Sequence, residues 1–289
     1  MLTSLPFERA SKKTGMPPVR RTPRSLKQEY QEFILQRLEE YKNTVPRAEL
    51  LQIGDEAVRE LHTTAQDQYL LTEVLLLEHV DRIIARRLRL PAFPRWRSKH
   101  RALRAAQREP THWGLEPDGP LVSCATRLEP GDLALVLGAA ALPAALYLAA
   151  HDAEVFVLDQ DLGAIEAAEG RAVTEQLAGR FQALVIHWGS WLPDVAPSLV
   201  VLDPAALAPA RARDRSAVIA DLKARTRPGG VHIVLPSPAA NEVIPLGPEA
   251  LQAHYGGWLI TRRRRTKAGA GFTATKPERQ ADTAVNVSE

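Results

Sequence analysis

The chain has 289 residues, 45% hydrophobic and 25% charged, with a formal net charge of +3 and one cysteine. That is enough apolar material for one large domain or two small ones, and it excludes an internal disulfide framework and a cysteine-rich zinc site. Every long apolar stretch is broken by Gly, Pro or charge before it could cross a bilayer, so a cytoplasmic protein without membrane contact is expected.

Residues 1–24 are rich in Pro, Lys and Arg and have no periodicity, which predicts a disordered basic arm. Glu8 and the lack of an apolar face argue against a transit peptide. From Ser25 the pattern changes. Ser25 and Gln28 make a capping box, and Tyr30, Phe33, Ile34, Leu38 and Tyr41 then share one helical stripe, predicting a helix to about Lys42. Pro46 opens a second helix, interrupted or ended near Gly54, with helical pattern resuming from Asp55 to Leu61. Thr64 with Asp67 caps a third, through Leu70, Leu71, Val74, Leu77 and Ile84 to about Leu88. An all-helical domain over residues 25–110, basic in its C-terminal part, is expected.

That basic part is the sharpest charge feature. From Arg82 to Arg108 there are ten Arg or Lys and no Asp or Glu. Arg95, Arg97, Lys99, Arg101 and Arg104, with Trp96 interleaved and Trp113 just beyond, suit a phosphate backbone with a stacked base, so RNA, DNA or a ribonucleoprotein is the expected partner. The plainer reading is a solvated helix face. Its arginines could instead pair with Gly119–Trp258, which holds nine Lys or Arg against fifteen Asp or Glu.

The histidines have no metal-binding pattern: His79, between Glu78 and Asp81, lacks a ligating partner one helical turn away, and no metal is expected. His112 lies in the segment THWGLEP that enters the second half of the chain.

Asp132–Asp161 reads as strand, turn, helix, strand. Leu133–Leu137 is an uninterrupted apolar run, as in a strand buried on both faces of a parallel sheet, and Gly138 follows at the turn. Pro143 suits the first turn of a helix, and the Ala/Leu run to about Ala150 is strongly helix-forming. Val155–Leu158 is a second strand, ending on Asp159. An acidic strand end about twenty residues after a Gly turn is the arrangement that receives an adenosine, the carboxylate accepting from ribose hydroxyls. Further apolar runs are Phe181–Ile186, Ser198–Leu202 before Asp203-Pro204, and Val231–Leu235 after the turn Arg227-Pro228-Gly229-Gly230. Arg262–Arg265 near the end reads as an edge strand guarded by charge.

With VLGAAA after the first strand, VFVLDQDLGAIEAA at the second, WGSWLP after the third, LVVLDP at the fourth, RPGGVHIVL at the fifth and the ending YGGWLITRRRRTKAGAGFTATK, the chain resembles the class I S-adenosylmethionine-dependent methyltransferases. The resemblance covers about Leu121 to Lys276. It implies an α/β fold, a doubly wound, mostly parallel seven-stranded sheet over residues 111–276, joined to the helical domain, with residues 277–289 as a disordered tail. It implies S-adenosylmethionine as cofactor and methyl transfer as activity. It places Asp159 on the ribose with Asp161 beside it, and Gly138 and Ala140 against the amino-acid part. Ser190 and Trp191, with Trp188, fall near the adenine, and Asp203 at the catalytic position over the sulfonium. His112 and Trp113 fall in the segment that closes the pocket in that family.

The glycine motif is degenerate. Val136 stands where the family has an acid, and Ala140 and Leu142 where it has glycines. Asp203-Pro204-Ala205-Ala206 also lacks an aromatic platform. The alternative is therefore a catalytically inactive, methyltransferase-like binding or assembly protein that contacts RNA or DNA through its basic helical region.

Overall fold

The computed structural model describes residues 25–64, 73–237, 248–262 and 270–278. The expected basic arm, the Thr64/Asp67 cap with Leu70 and Leu71, Arg263–Arg265 and most of the C-terminal tail fall outside these. The chain forms two compact units that divide between Gln107 and Arg108, three residues before the boundary expected from the sequence.

In the helical unit, α1 (Leu26–Thr44) begins with the expected capping box: Ser25 Oγ accepts from Gln28 N–H, and Gln28 Oε1 from Ser25 N–H. α2 (Arg47–Thr64) runs straight through Gly54, correcting the expected break. One helical glycine costs about 1 kcal/mol relative to alanine, and burial of the neighbouring Ile53 and Ala57 offsets it. α3 spans Glu73–Arg87. Leu38, Ile53, Ala57, Ile83 and Ile84 form the common core of these three helices. α4 (Phe93–Gln107) is the helix of the basic stretch, and it seats Trp96 against Tyr30, Phe33, Phe93 and His100.

The sheet unit starts with a 3-10 turn at Pro110–Trp113 and α5 (Pro120–Ala125). There follow β1 (Leu133–Leu137), α6 (Leu142–Ala150), β2 (Glu154–Asp159), α7 (Leu162–Thr174) and β3 (Phe181–Val185). Next come β4 (Leu199–Leu202), α8 (Pro204–Leu207), α9 (Ala212–Arg225), β5 (Val231–Ser237), α10 (Pro248–Gln252), β6 (Leu259–Arg262) and β7 (Ala270–Thr275). The sheet order is β3-β2-β1-β4-β5-β7-β6. The pairs up to β5 are parallel, and β7 runs antiparallel to both β5 and β6.

Because side chains alternate across a strand, each central strand feeds two cores. Ala134, Val136, Val155, Val157, Leu199 and Val201 pack with α5, α6 and α7. Leu135, Leu137, Leu158, Val200, Leu202 and Val234 pack with α8, α9 and α10 on the other face. The expected uninterrupted apolar runs are explained by this double burial. The β4→β5 side carries a closed polar network. Thr226 Oγ1–H donates to Leu222 O at 2.6 Å, so His232 must donate Nε2–H to Thr226 (2.7 Å), and Nδ1 accepts from Tyr255 O–H (2.9 Å). Burial holds the His232 imidazole down to about 3, with Lys223 and Lys276 adding to the shift, and burial pushes the Tyr255 hydroxyl up.

Candidate active site

Strand register builds the site. Leu158, Leu137, Leu202 and Val234 lie in one row across β2, β1, β4 and β5. The residue after each of the first three is Asp159, Gly138 and Asp203, so the parallel ladder sets these side by side at the carboxyl edge. The central strand is flanked there by two acids. In an open α/β sheet this edge, where strand order reverses, is where ligands bind.

The edge opens into a crevice of ≈ 420 Å³ lined by Gly138, Ala139, Ala140, Asp159, Gln160, Asp161, Asp203, Ala205, Ala206 and Pro209. The volume falls in the range of small-molecule sites, roughly 300–1,000 Å³. The described lining holds three aspartates and no Lys, Arg or His. Its other walls are mostly alanine. Leu142 does not fill the space: it turns toward the α5–α6 core, with Pro143 in the first turn of α6.

Gly138 has φ 98°, which favours glycine, and a Cβ there would sit 2.8 Å from Ala206 Cβ and 3.0 Å from Asp203 Cβ. The glycine is demanded by the close approach of α8 to the β1 turn. Trp188 Nε1–H donates to Ala206 O at 2.8 Å, tying the loop after β3 to the same helix.

Asp159 Oδ2 accepts from Ala139 N–H at 2.7 Å, and Oδ1 from Asp161 N–H at 3.0 Å. Each oxygen keeps a second lone pair. Asp161 Oδ1 caps α7 through Gly163 and Ala164 N–H, so this residue is a helix cap at the rim. Asp203 Oδ1 caps α8 through Ala205 N–H at 3.0 Å. Oδ2 is the oxygen that faces the Gly138 turn. Burial lifts the Asp203 carboxyl above the ordinary aspartate range; the Ala205 N–H opposes this and the negative charge of Asp159 reinforces it.

Of the residues expected from the sequence, Gly138, Ala140, Asp159, Asp161 and Asp203 come together. Ser190 and Trp191 do not. They line a separate cavity of ≈ 150 Å³ with Ala217, Val218 and Asp221 of α9, because the loop after β3 turns toward that helix; Ser190 Oγ–H is held by His187 O. Nor do His112 and Trp113 reach the crevice: Trp113 is buried in the α5–α6 core, and His112 Nε2 lies 4.0 Å from Glu175. The following Gly114, Leu115 and Glu116 line a third cavity, of ≈ 170 Å³, beside β5 and β7. Ala139, Gln160, Ala205, Ala206 and Pro209 were not anticipated in the lining. Their signal was position: they follow the turn glycine at 138 and the strand-end acids at 159 and 203.

The basic stretch is also sorted by the structure. Arg86 pairs with Glu60, Arg87 with Glu56 and Glu49, and Arg108 with Asp152. Arg104 bonds Gln107. Trp96 is 4% exposed, so it cannot stack a base. His79, 8% exposed, bonds Glu60 at 2.8 Å and has a structural partner. Among the described residues, no cluster of three or more His, Cys, Asp or Glu is placed to hold a metal ion, and no helix is long and apolar enough to cross a membrane.

No protein-family model matches the sequence, and no curated protein does. Similar solved structures include the glycopeptide N-methyltransferase MtfA complexed with S-adenosyl-L-homocysteine, at 14% identity over 54% of this chain and 88% of that one, TM-score 0.44. The N-methyltransferase NodS from Bradyrhizobium japonicum is 15% identical over 64% of this chain and 98% of its own, TM-score 0.44. TehB from Haemophilus influenzae is 16% identical over 54% and 61%, TM-score 0.42. The strand order, with five parallel strands and a last antiparallel pair, is itself decisive: the sheet unit has the class I methyltransferase-like fold.

Proposed function

We propose that the sheet unit is an S-adenosylmethionine-dependent methyltransferase. One observation carries this reading: an open acidic crevice, walled by alanines, lies where the β1 turn, Asp159 and Asp203 meet. The fit is electrostatic and steric. Three carboxylates, with no cation among the described lining residues, suit a ligand that brings positive charge, as a sulfonium and an α-ammonium do. Ala139, Ala140, Ala205 and Ala206 leave the room that larger side chains would take. The remaining lone pairs of Asp159 suit a diol, and backbone around Ala140 would border the amino-acid part.

When bound, S-adenosylmethionine supplies an activated methyl group; alignment and exclusion of water matter more for its transfer than strong acid or base groups. Asp159 would orient the ribose while holding the turn through Ala139. Asp203, fixed by its helix-cap oxygen, presents Oδ2 to accept a proton from the acceptor. Its raised proton affinity suits that role.

A second reading, a methyltransferase-like binding module, is favoured by the contacts of Asp159, whose two oxygens already serve backbone N–H groups. Calorimetry divides the two. S-adenosylmethionine and S-adenosylhomocysteine should both give heat that Asp159→Ala removes; no heat with either ligand leaves the binding module.

A further inference from the structure

We infer that α4 is a docking element for duplex DNA, laid along the major groove by contacts to phosphate alone. Arg95, Arg97, Lys99 and Arg101 are all exposed, and none has a carboxylate partner among the described residues, whereas Arg86, Arg87 and Arg108 are paired. Arg97 only lies over the Phe93 ring, at 5.8 Å. No acid occurs anywhere in the helix.

On a helix of 3.6 residues per turn, Arg95 and Lys99 form one row and Arg97 and Arg101 another. Trp96 and His100 lie between the rows on the buried side. On the solvent side the space between the rows is taken by Ser98, Ala102 and Ala105, all exposed. Each row sets like charges four residues apart, which weakens an isolated helix by roughly 0.2–0.5 kcal/mol per pair. An anionic partner removes that cost.

Three observations choose the partner. The aromatic side chains of α4, Phe93 and Trp96, pack inward on Tyr30 and Phe33, and its exposed apolar residues are only Pro94 and three alanines, too little to anchor in a bilayer. Trp96 is buried, so a single strand would find no stacking platform. Two cationic rows flanking a helix about 10–12 Å across match the two phosphate walls of a B-form major groove about 12 Å wide.

The test is fluorescence anisotropy with a random-sequence duplex of about 20 base pairs, titrated against salt. Four phosphates neutralised predict a log–log slope of about −3 to −4, and an affinity loss on the order of a hundredfold between 50 and 200 mM salt. The combined variant Arg95→Gln, Arg97→Gln, Lys99→Gln, Arg101→Gln should keep its helical circular dichroism, lose at least tenfold in affinity at low salt and flatten the slope. Arg37→Gln, at an exposed arginine paired on α1, should bind like the parent. No binding at low salt, an unaltered slope in the combined variant, a single strand held as tightly as the duplex, or displacement by polyglutamate at equal charge would each overturn the proposal, the last in favour of an acidic protein.

Discussion

Two polar clusters in the sheet unit are built to opposite rules. Around β5, every polar atom of the Tyr255–His232–Thr226 chain has a partner, the chain ends on the Leu222 carbonyl, and His232 is fully buried. At the carboxyl edge of β1, β2 and β4, Asp159 and Asp203 line one open crevice with no cation among its described lining residues, and only part of their hydrogen-bonding capacity is used. Closed networks fix a structure, because any change strands a buried polar group. Open, like-charged ones hold capacity in reserve for a ligand, at some cost in stability.

The sharpest test of that contrast is His232→Ala. It leaves Tyr255 and Thr226 without their shared partner in a dry site and should cost about 3 kcal/mol in urea unfolding. Acid should act on the same residue. The folded imidazole titrates at about 3, below its ordinary 6.5, so the unfolded chain takes the proton first. The His232 contribution is therefore complete above pH 6.5 and is lost as pH falls toward 3, at up to about 1.4 kcal/mol per pH unit. A pH series of unfolding midpoints should show this slope in the parent and a shallower one in His232→Ala.

Gly138→Ala comes next, at about 1–3 kcal/mol, since it combines an unfavourable φ with a 2.8 Å approach to Ala206. Asp159→Ala should cost about 1 kcal/mol by releasing Ala139 N–H and Asp161 N–H. Asp203→Asn should stay within about 0.5 kcal/mol, because the amide oxygen can keep the α8 cap while the repulsion by Asp159 disappears. The same variant should lower methyl transfer by roughly 10²-fold or more in a radiolabelled-cofactor assay. If Asp203→Asn proves as destabilising as His232→Ala, the two clusters are not different in kind, and the crevice is architecture.

Much of the sheet could be read from the chain because the relevant signals are local. Leu133–Leu137 is apolar throughout, Gly138 follows at once, and Asp159 and Asp203 each stand at a strand end; those features alone identify buried parallel strands and their acidic edge. The capping box at Ser25 is likewise a matter of three residues' spacing. Gly54 was misread because helix propensity is a weak term that burial of Ile53 and Ala57 outweighs. Ser190 and Trp191 were misplaced because the path of a loop depends on what it packs against, here α9, which is distant in sequence.

The amino-acid order by itself determined which segments become strands and helices, and in what succession, since periodicity, caps and turn residues act over a few positions. Only the tertiary structure decided that Asp159 spends a hydrogen bond on Ala139, that Trp96 is sealed in an aromatic cluster with Tyr30 and Phe33, and that six of the ten basic residues from Arg82 to Arg108 stand exposed without a carboxylate partner among the described residues. Those are outcomes of distance between residues far apart in the chain, and charge or aromatic character carries no record of its partner until packing supplies one.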